Sequence, residues 1–112
     1  MRRPLPLLFA VGFLAAWAVP ALAQDAKVAK GATLFADQKC TLCHAVAGKG
    51  NVKRPLDDAG TRLDAATVKL WLTDPKAAEA KTGKKGTPTM KSFATLPQED
   101  IDALVAYVMS LK

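Results

Sequence analysis

The sequence predicts a small all-α domain with two long loops. Apolar residues recur at helical spacing in three separate stretches, no stretch alternates as a strand does, and the connecting segments are dense in Gly, Pro, Lys and Thr. No internal repeat or low-complexity tract divides the chain.

The first 23 residues stand apart from the domain. "MRR" gives a positive start, Leu5 to Val19 is an apolar run, and "PALA" ends in the small-x-small pattern Ala21, Leu22, Ala23. This is the pattern of a secretory signal cleaved before Gln24. The competing reading, an uncleaved anchor helix, is weakened by the shortness of the run and by the cleavage pattern at its end. Residues 24–112 then form one 89-residue exported domain.

The first helix runs from Ala26 to about Asp37, with Val28, Gly31, Leu34 and Phe35 sharing a face. The second is "DAATVKLWL": Asp64 is a candidate N-cap, Val68, Trp71 and Leu72 fall at i, i+3 and i+4, and "TDP" ends it because a residue before proline is pushed out of the helical region. The third carries Ile101, Leu104, Val105, Val108 and Leu111 as one stripe reaching the C-terminus. Its start is marked either by Thr95 with Gln98, a capping-box pair, or by Pro97 as first helical residue; Glu99, Asp100 and Asp102 suit the positive end of its dipole. Between these helices, "AGKGNVKRPLDDAG" and "KTGKKGTPTMKSF" are expected to be irregular, and long loops in a small domain are usually functional.

Without the leader, 14 basic residues face 10 acidic ones, a net charge of +4. No Arg-rich stripe interleaved with aromatics is present, which argues against nucleic acid as a partner. A chain this short buries too little apolar surface to be comfortably stable alone, and its aromatics reduce to Phe35, Trp71, Phe93 and Tyr107. Disulfides, a metal or a cofactor are expected to supply what the small core lacks.

Both cysteines and the only histidine lie within five positions, as Cys40, Thr41, Leu42, Cys43, His44. C-x-x-C-H is the attachment signature of a c-type haem. Two thiols three positions apart reach the two vinyl groups of one porphyrin edge, and the next residue is carried beneath the iron. A structural zinc site needs about four N or S ligands and only three are here. A thioredoxin-like pair wants a βαβ context, and a plain disulfide leaves His44 unexplained.

Removal of the leader leaves Met90 and Met109 as candidates for the second axial position. Met109 lies beside Val108 on the third helix and suits a core position. Met90 sits 46 residues after His44 in "GTPTMKSF", where no helical face claims it, and is the expected sixth ligand.

With these residues in order, the sequence resembles a class I cytochrome c, small, monohaem and of the bacterial type. The resemblance runs from "GATLFADQKCTLCH" through "RPL" and "WLTDP" to "TPTMKSF" and "DIDALVAYVMSLK". It implies N- and C-terminal helices packed across each other around one covalently bound haem. It further implies that Gly31 and Phe35 pack against Leu104 and Tyr107, and that the Pro55 carbonyl accepts a hydrogen bond from His44, raising its basicity as a ligand. Trp71 either donates to a haem propionate or is a core residue. Lys53 and Arg54 could neutralise propionate charge, although basic loop residues are more often simply solvated.

Two occupied axial positions leave no substrate site, so the expected function is a soluble, periplasmic one-electron carrier rather than an enzyme. No hydrolytic constellation competes: there is no second histidine, only Ser92 and Ser110 among serines, and Asp57, Asp58, Asp64 and Asp74 lack a partner base, Asp57 and Asp58 reading as a solvated acidic turn. The alternatives are a sensor or peroxidase with a displaceable Met90, and a subunit relaying electrons inside a larger complex. Lys81, Lys84, Lys85 and Lys91 bracket Met90 and suit redox partners with acidic docking patches; the protein itself is expected to be a monomer.

Overall fold

Five α-helices and one two-stranded ribbon make up the described part of the molecule. The structure, a computed structural model, describes residues 19–112, with side chains from Ala21 onward. Most of the expected signal segment, residues 1–18, therefore lies outside the described residues. The order is α1 (Val19–Asp37), a 3-10 turn (Cys40–Leu42), β1 (Ala45–Val46), β2 (Lys49–Gly50), α2 (Ala59–Arg62), α3 (Ala65–Thr73), α4 (Pro75–Thr82) and α5 (Gln98–Met109). Among the described residues no helix is long and apolar enough to cross a membrane.

α1 begins earlier than its apolar face alone indicates, because the Ala-rich segment from Ala21 to Ala26 favours helix without contributing to the core. Its functional face is as expected: Gly31 and Phe35 are buried, Val28 and Leu34 half-buried. This face crosses α5, where Phe35 meets Tyr107 edge to face with ring centroids 5.3 Å apart. A Cβ at Gly31 would overlap the Ala103 carbonyl oxygen and approach Tyr107 Cβ to 2.6 Å. At the rim, Lys30 Nζ bridges Asp100 at 3.0 Å and Glu99 at 3.4 Å.

α3 starts where its cap is expected, with the Thr67 N–H donating to Asp64 Oδ1 at 2.7 Å. The next helix, α4, has no counterpart in the apolar pattern. Asp74 ends α3 and also caps α4 by accepting from the Ala77 N–H at 3.1 Å, while Pro75 supplies a preset φ at the first helical position. Ala77, Ala78, Glu79 and Ala80 are good helix formers, but only Pro75 and Ala78 are buried, so no apolar stripe announces the helix. Gly83, at φ 71°, closes it.

α5 takes neither of the two expected starts. Pro97 stands just before the first helical residue, and its carbonyl accepts from the N–H groups of Asp100 and Ile101 at 2.9 and 3.1 Å. Gln98 turns forward to donate to Asp102 Oδ1 at 2.8 Å rather than back toward Thr95. Phe35, Val68, Leu72, Phe93, Ile101, Leu104 and Val108, with Ala59, form the buried core between α1, α3 and α5.

The first loop is more ordered than its composition indicates. β1 and β2 pair antiparallel, joined at Ala47 and Gly48, both with positive φ of 51° and 77°. This is the backbone of a tight primed hairpin turn. Asp57 and Asp58 are also more than a solvated turn. Asp57 Oδ1 accepts from the Ala47 N–H at 2.6 Å, and Asp58 Oδ1 accepts from Arg62 Nε at 2.8 Å.

Candidate functional site

The attachment motif sits on a turn built by one residue. Lys39, at φ 58°, reverses the chain after α1, and its carbonyl accepts from the Leu42 N–H at 3.1 Å. The Cys40 carbonyl then accepts from the N–H groups of Cys43 at 3.1 Å and His44 at 2.9 Å. The 3-10 turn thus holds both thiols and the imidazole on one short segment. Cys40 is half-buried and packs against the core, Cys43 is exposed, and both are free thiols.

The β1–β2 ribbon closes over this turn. The Asn51 N–H donates to the carbonyls of Thr41 and His44, both at 3.1 Å. Gly50, at φ 108°, lies so close that a Cβ would overlap the His44 carbonyl oxygen. Only glycine satisfies both the backbone angle and that approach.

Burial lowers the His44 pKa below its ordinary 6.5, the Arg54 backbone opposes this, and the Arg54 charge reinforces it. Burial thus disfavours the charged imidazolium, and the neutral ring is the form that ligates a metal. Burial raises the Cys40 thiol, as does the neighbouring Cys43, while Lys91 draws it down.

Met90 is half-buried and packs against the same core as Cys40. Its loop is anchored on both sides. On one side, the Gly86 N–H donates to Glu79 Oε1 at 3.0 Å and Arg54 donates to the Thr87 carbonyl at 2.5 Å. On the other, Ser92 Oγ donates to the Thr73 carbonyl at 3.0 Å and the Phe93 N–H donates to the Leu72 carbonyl at 2.7 Å. An open cavity of about 310 Å³ beside Met90 is lined by Thr73, Asp74, Pro75, Lys76, Thr89 and Ser92. It flanks the methionine and does not include the attachment turn.

Pro55 is placed beside the motif, bridged in parallel to Ala45, with the Ala45 N–H donating to the Arg54 carbonyl at 3.1 Å and the Leu56 N–H to the Ala45 carbonyl at 2.8 Å. His44 Nδ1 is buried and has no hydrogen-bond partner, so the expected bond to the Pro55 carbonyl is not formed. Trp71 is half-buried on α3 and stays outside the packed core. Arg54, expected from sequence to be a propionate neighbour or simply solvated, anchors the methionine loop. That role joins residues 33 positions apart and leaves no local signal.

The donor set fits a haem. It offers two free thiols at the attachment spacing, an imidazole whose charged form burial disfavours, and a thioether, the last two being axial ligands suited to haem iron. Among the described residues no group of three or more His, Cys, Asp or Glu side chains is placed to hold a metal ion.

The comparisons with known proteins agree with this chemistry. Cytochrome c oxidase subunit 2 of Alkalihalophilus pseudofirmus is 30% identical over 92 residues, covering 74% of this chain and 25% of that protein. The chain therefore spans about a quarter of that relative's length. No solved structure matches. The family model described as Cytochrome c matches residues 28–112, taking in the attachment turn, the ribbon, the methionine loop and the α1–α5 crossing, and the chain belongs to the cytochrome c family.

Proposed function

We propose that this haem-binding cytochrome c is a periplasmic one-electron carrier with a single haem c, attached through Cys40 and Cys43 and ligated by His44 and Met90. The observation that carries the reading is the pairing of the C-x-x-C-H turn with a methionine loop anchored independently on α3 and α4. A haem bound there supplies a one-electron ferrous/ferric couple.

The chain's own residues make that couple useful. Cys40 and Cys43 hold the group covalently and prevent its loss outside the cytoplasm. His44 ligates as a neutral imidazole. The Met90 thioether raises the potential relative to a second nitrogen ligand. Loop anchors on both sides of Met90 keep the ligand set the same in both oxidation states, which lowers the reorganisation accompanying electron transfer. Trp71, half-buried and outside the core, is available to donate to a propionate.

Export follows from residues 1–23 acting as a cleaved signal, leaving a monomeric domain from Gln24. The partners are redox proteins with acidic docking surfaces. Similarity to an oxidase subunit favours a terminal oxidase as electron acceptor.

The optical spectrum of the purified, haem-loaded protein tests the reading, taken ferric and ferrous, before and after adding carbon monoxide. A low-spin ferric spectrum with the far-red methionine-to-iron band and a ferrous form indifferent to carbon monoxide are expected. A high-spin spectrum or prompt carbon monoxide binding would replace the carrier with a sensor or peroxidase. Mass spectrometry of the exported protein tests the start at Gln24.

A further inference from the structure

We propose that Arg54 is a positioning residue for Met90, its guanidinium clasping the methionine loop to the bend that follows the β1–β2 ribbon. The proposal rests on the His44/Met90 ligation set out above.

Arg54 is fixed at its backbone before its side chain reaches anywhere. Its N–H donates to the Asn51 carbonyl and its carbonyl accepts from the Ala45 N–H, both at 3.1 Å. Ala45 directly follows His44, so the base of the arginine is rigidly tied to the proximal side. From there Arg54 Nη2 donates to the Thr87 carbonyl at 2.5 Å, three residues before Met90.

The other hydrogen bonds that hold this loop run to Glu79, Thr73 and Leu72, all on α3 or α4. Among the described residues, Arg54 supplies the hydrogen bond that crosses to the His44 side. It forms no ion pair there, and the ion pairs of the described residues use Lys30 and Arg62 instead. A charged donor on a neutral carbonyl makes a strong hydrogen bond and leaves the carbonyl otherwise free.

The consequence concerns how well Met90 competes for the iron. A thioether is a weak ligand, and its hold depends on the effective concentration that the loop imposes. Releasing the Thr87 end gives the loop more conformers and lowers that concentration, so an external ligand displaces Met90 more easily.

The test is imidazole titration of the ferric, haem-loaded protein, followed by loss of the far-red methionine band. Arg54→Gln is expected to bind imidazole roughly tenfold more tightly than the parent. Arg54→Lys, which keeps a charged donor without the planar fork, is expected to fall between the two. Arg62→Ala, which removes the exposed ion pair with Asp58, serves as control and is expected to match the parent. An Arg54→Gln affinity equal to the parent's overturns the proposal. That holds even where the reduction potential moves, since this pattern assigns Arg54 to propionate charge.

Should Arg54→Gln fail to attach haem, Arg54→Lys decides, and parental imidazole affinity there overturns the proposal. Failure of both variants to attach haem also overturns it, because Arg54 would then hold the fold rather than the ligand. A parent lacking the far-red band removes the ligation reading and the clasp together. A parent that has the band, with an unchanged Arg54→Gln, removes the clasp alone.

Discussion

Gly31 of α1 lies directly against the Ala103 carbonyl of α5, with Tyr107 closing the other side. The two helices cross here at backbone contact, and Phe35, one turn further along α1, adds its edge-to-face pair with Tyr107 at 5.3 Å. This crossing fixes α5, and α5 with α3 forms the wall on which Phe93 and Met90 pack.

Gly31→Ala tests that contact. Alanine raises helix propensity by about 1 kcal/mol in a helix interior, yet its methyl overlaps a backbone oxygen that no rotamer change can move aside. Separating the helices outweighs the propensity gain, and a net loss of about 1–3 kcal/mol is expected from overpacking. The guanidinium midpoint of the haem-loaded protein measures it; a raised midpoint would show that the helices can part without loss.

The α3 cap gives a pH prediction. The Thr67 side chain, then its N–H, hold the Asp64 carboxylate below its ordinary 3.8, with Lys81 helping. A depressed folded pKa contributes stability above the unfolded pKa, and this is lost as pH falls through the lower folded value. Asn keeps the capping oxygen but cannot titrate. Asp64→Asn is therefore expected to flatten the stability profile below about pH 4. Parallel profiles for the two proteins would remove Asp64 from the acid response.

Ala47 occupies the left-handed region at φ 51°, held by the Asp57 carboxylate and followed by Gly48. A side chain there is strained by roughly 1–2 kcal/mol, partly offset by the greater unfolded freedom of glycine. Ala47→Gly is expected to stabilise the protein by about 0.5–1 kcal/mol without altering the optical spectrum. Thermal unfolding monitored at the haem band measures the gain, and a lowered midpoint contradicts the strained turn.

Lys81, Lys84, Lys85 and Lys91 are all exposed around the methionine loop, with Lys81 Nζ also donating to Thr67 Oγ1 at 3.2 Å. Steering by such a group is screened within about 10 Å at 0.1 M salt. The bimolecular rate of electron transfer with an acidic redox partner is expected to fall as ionic strength rises, and charge reversal at Lys84 and Lys85 to reproduce that fall at low salt. A flat salt profile excludes this surface as the docking face.

Much of this architecture was legible because it is local or periodic. The α1 face, the Asp64 cap and the α5 stripe each follow from spacing within one helix. The C-x-x-C-H pentapeptide is likewise read from five consecutive residues. α4 escaped because its alanines and Glu79 carry helix propensity without an apolar stripe, and its only buried residues are Pro75 and Ala78. The ribbon escaped because two-residue strands show no alternation and its turn spends Ala47 at a positive φ. The start of α5 matches neither local signal, because Pro97 stands just before the helix and Gln98 bonds forward to Asp102.

The sequence by itself determined which donor side chains are present, at what spacing, and on which segments they travel. Tertiary structure alone decided what holds them. The anchoring of Met90 through Glu79, Thr73 and Arg54, the closure of Gly50 over His44, and the buried His44 Nδ1 without a partner are all long-range facts. The reason is physical. Residue type and periodicity are properties of neighbours along the chain, whereas a hydrogen bond between Arg54 and Thr87 exists only once packing has brought two distant loops together.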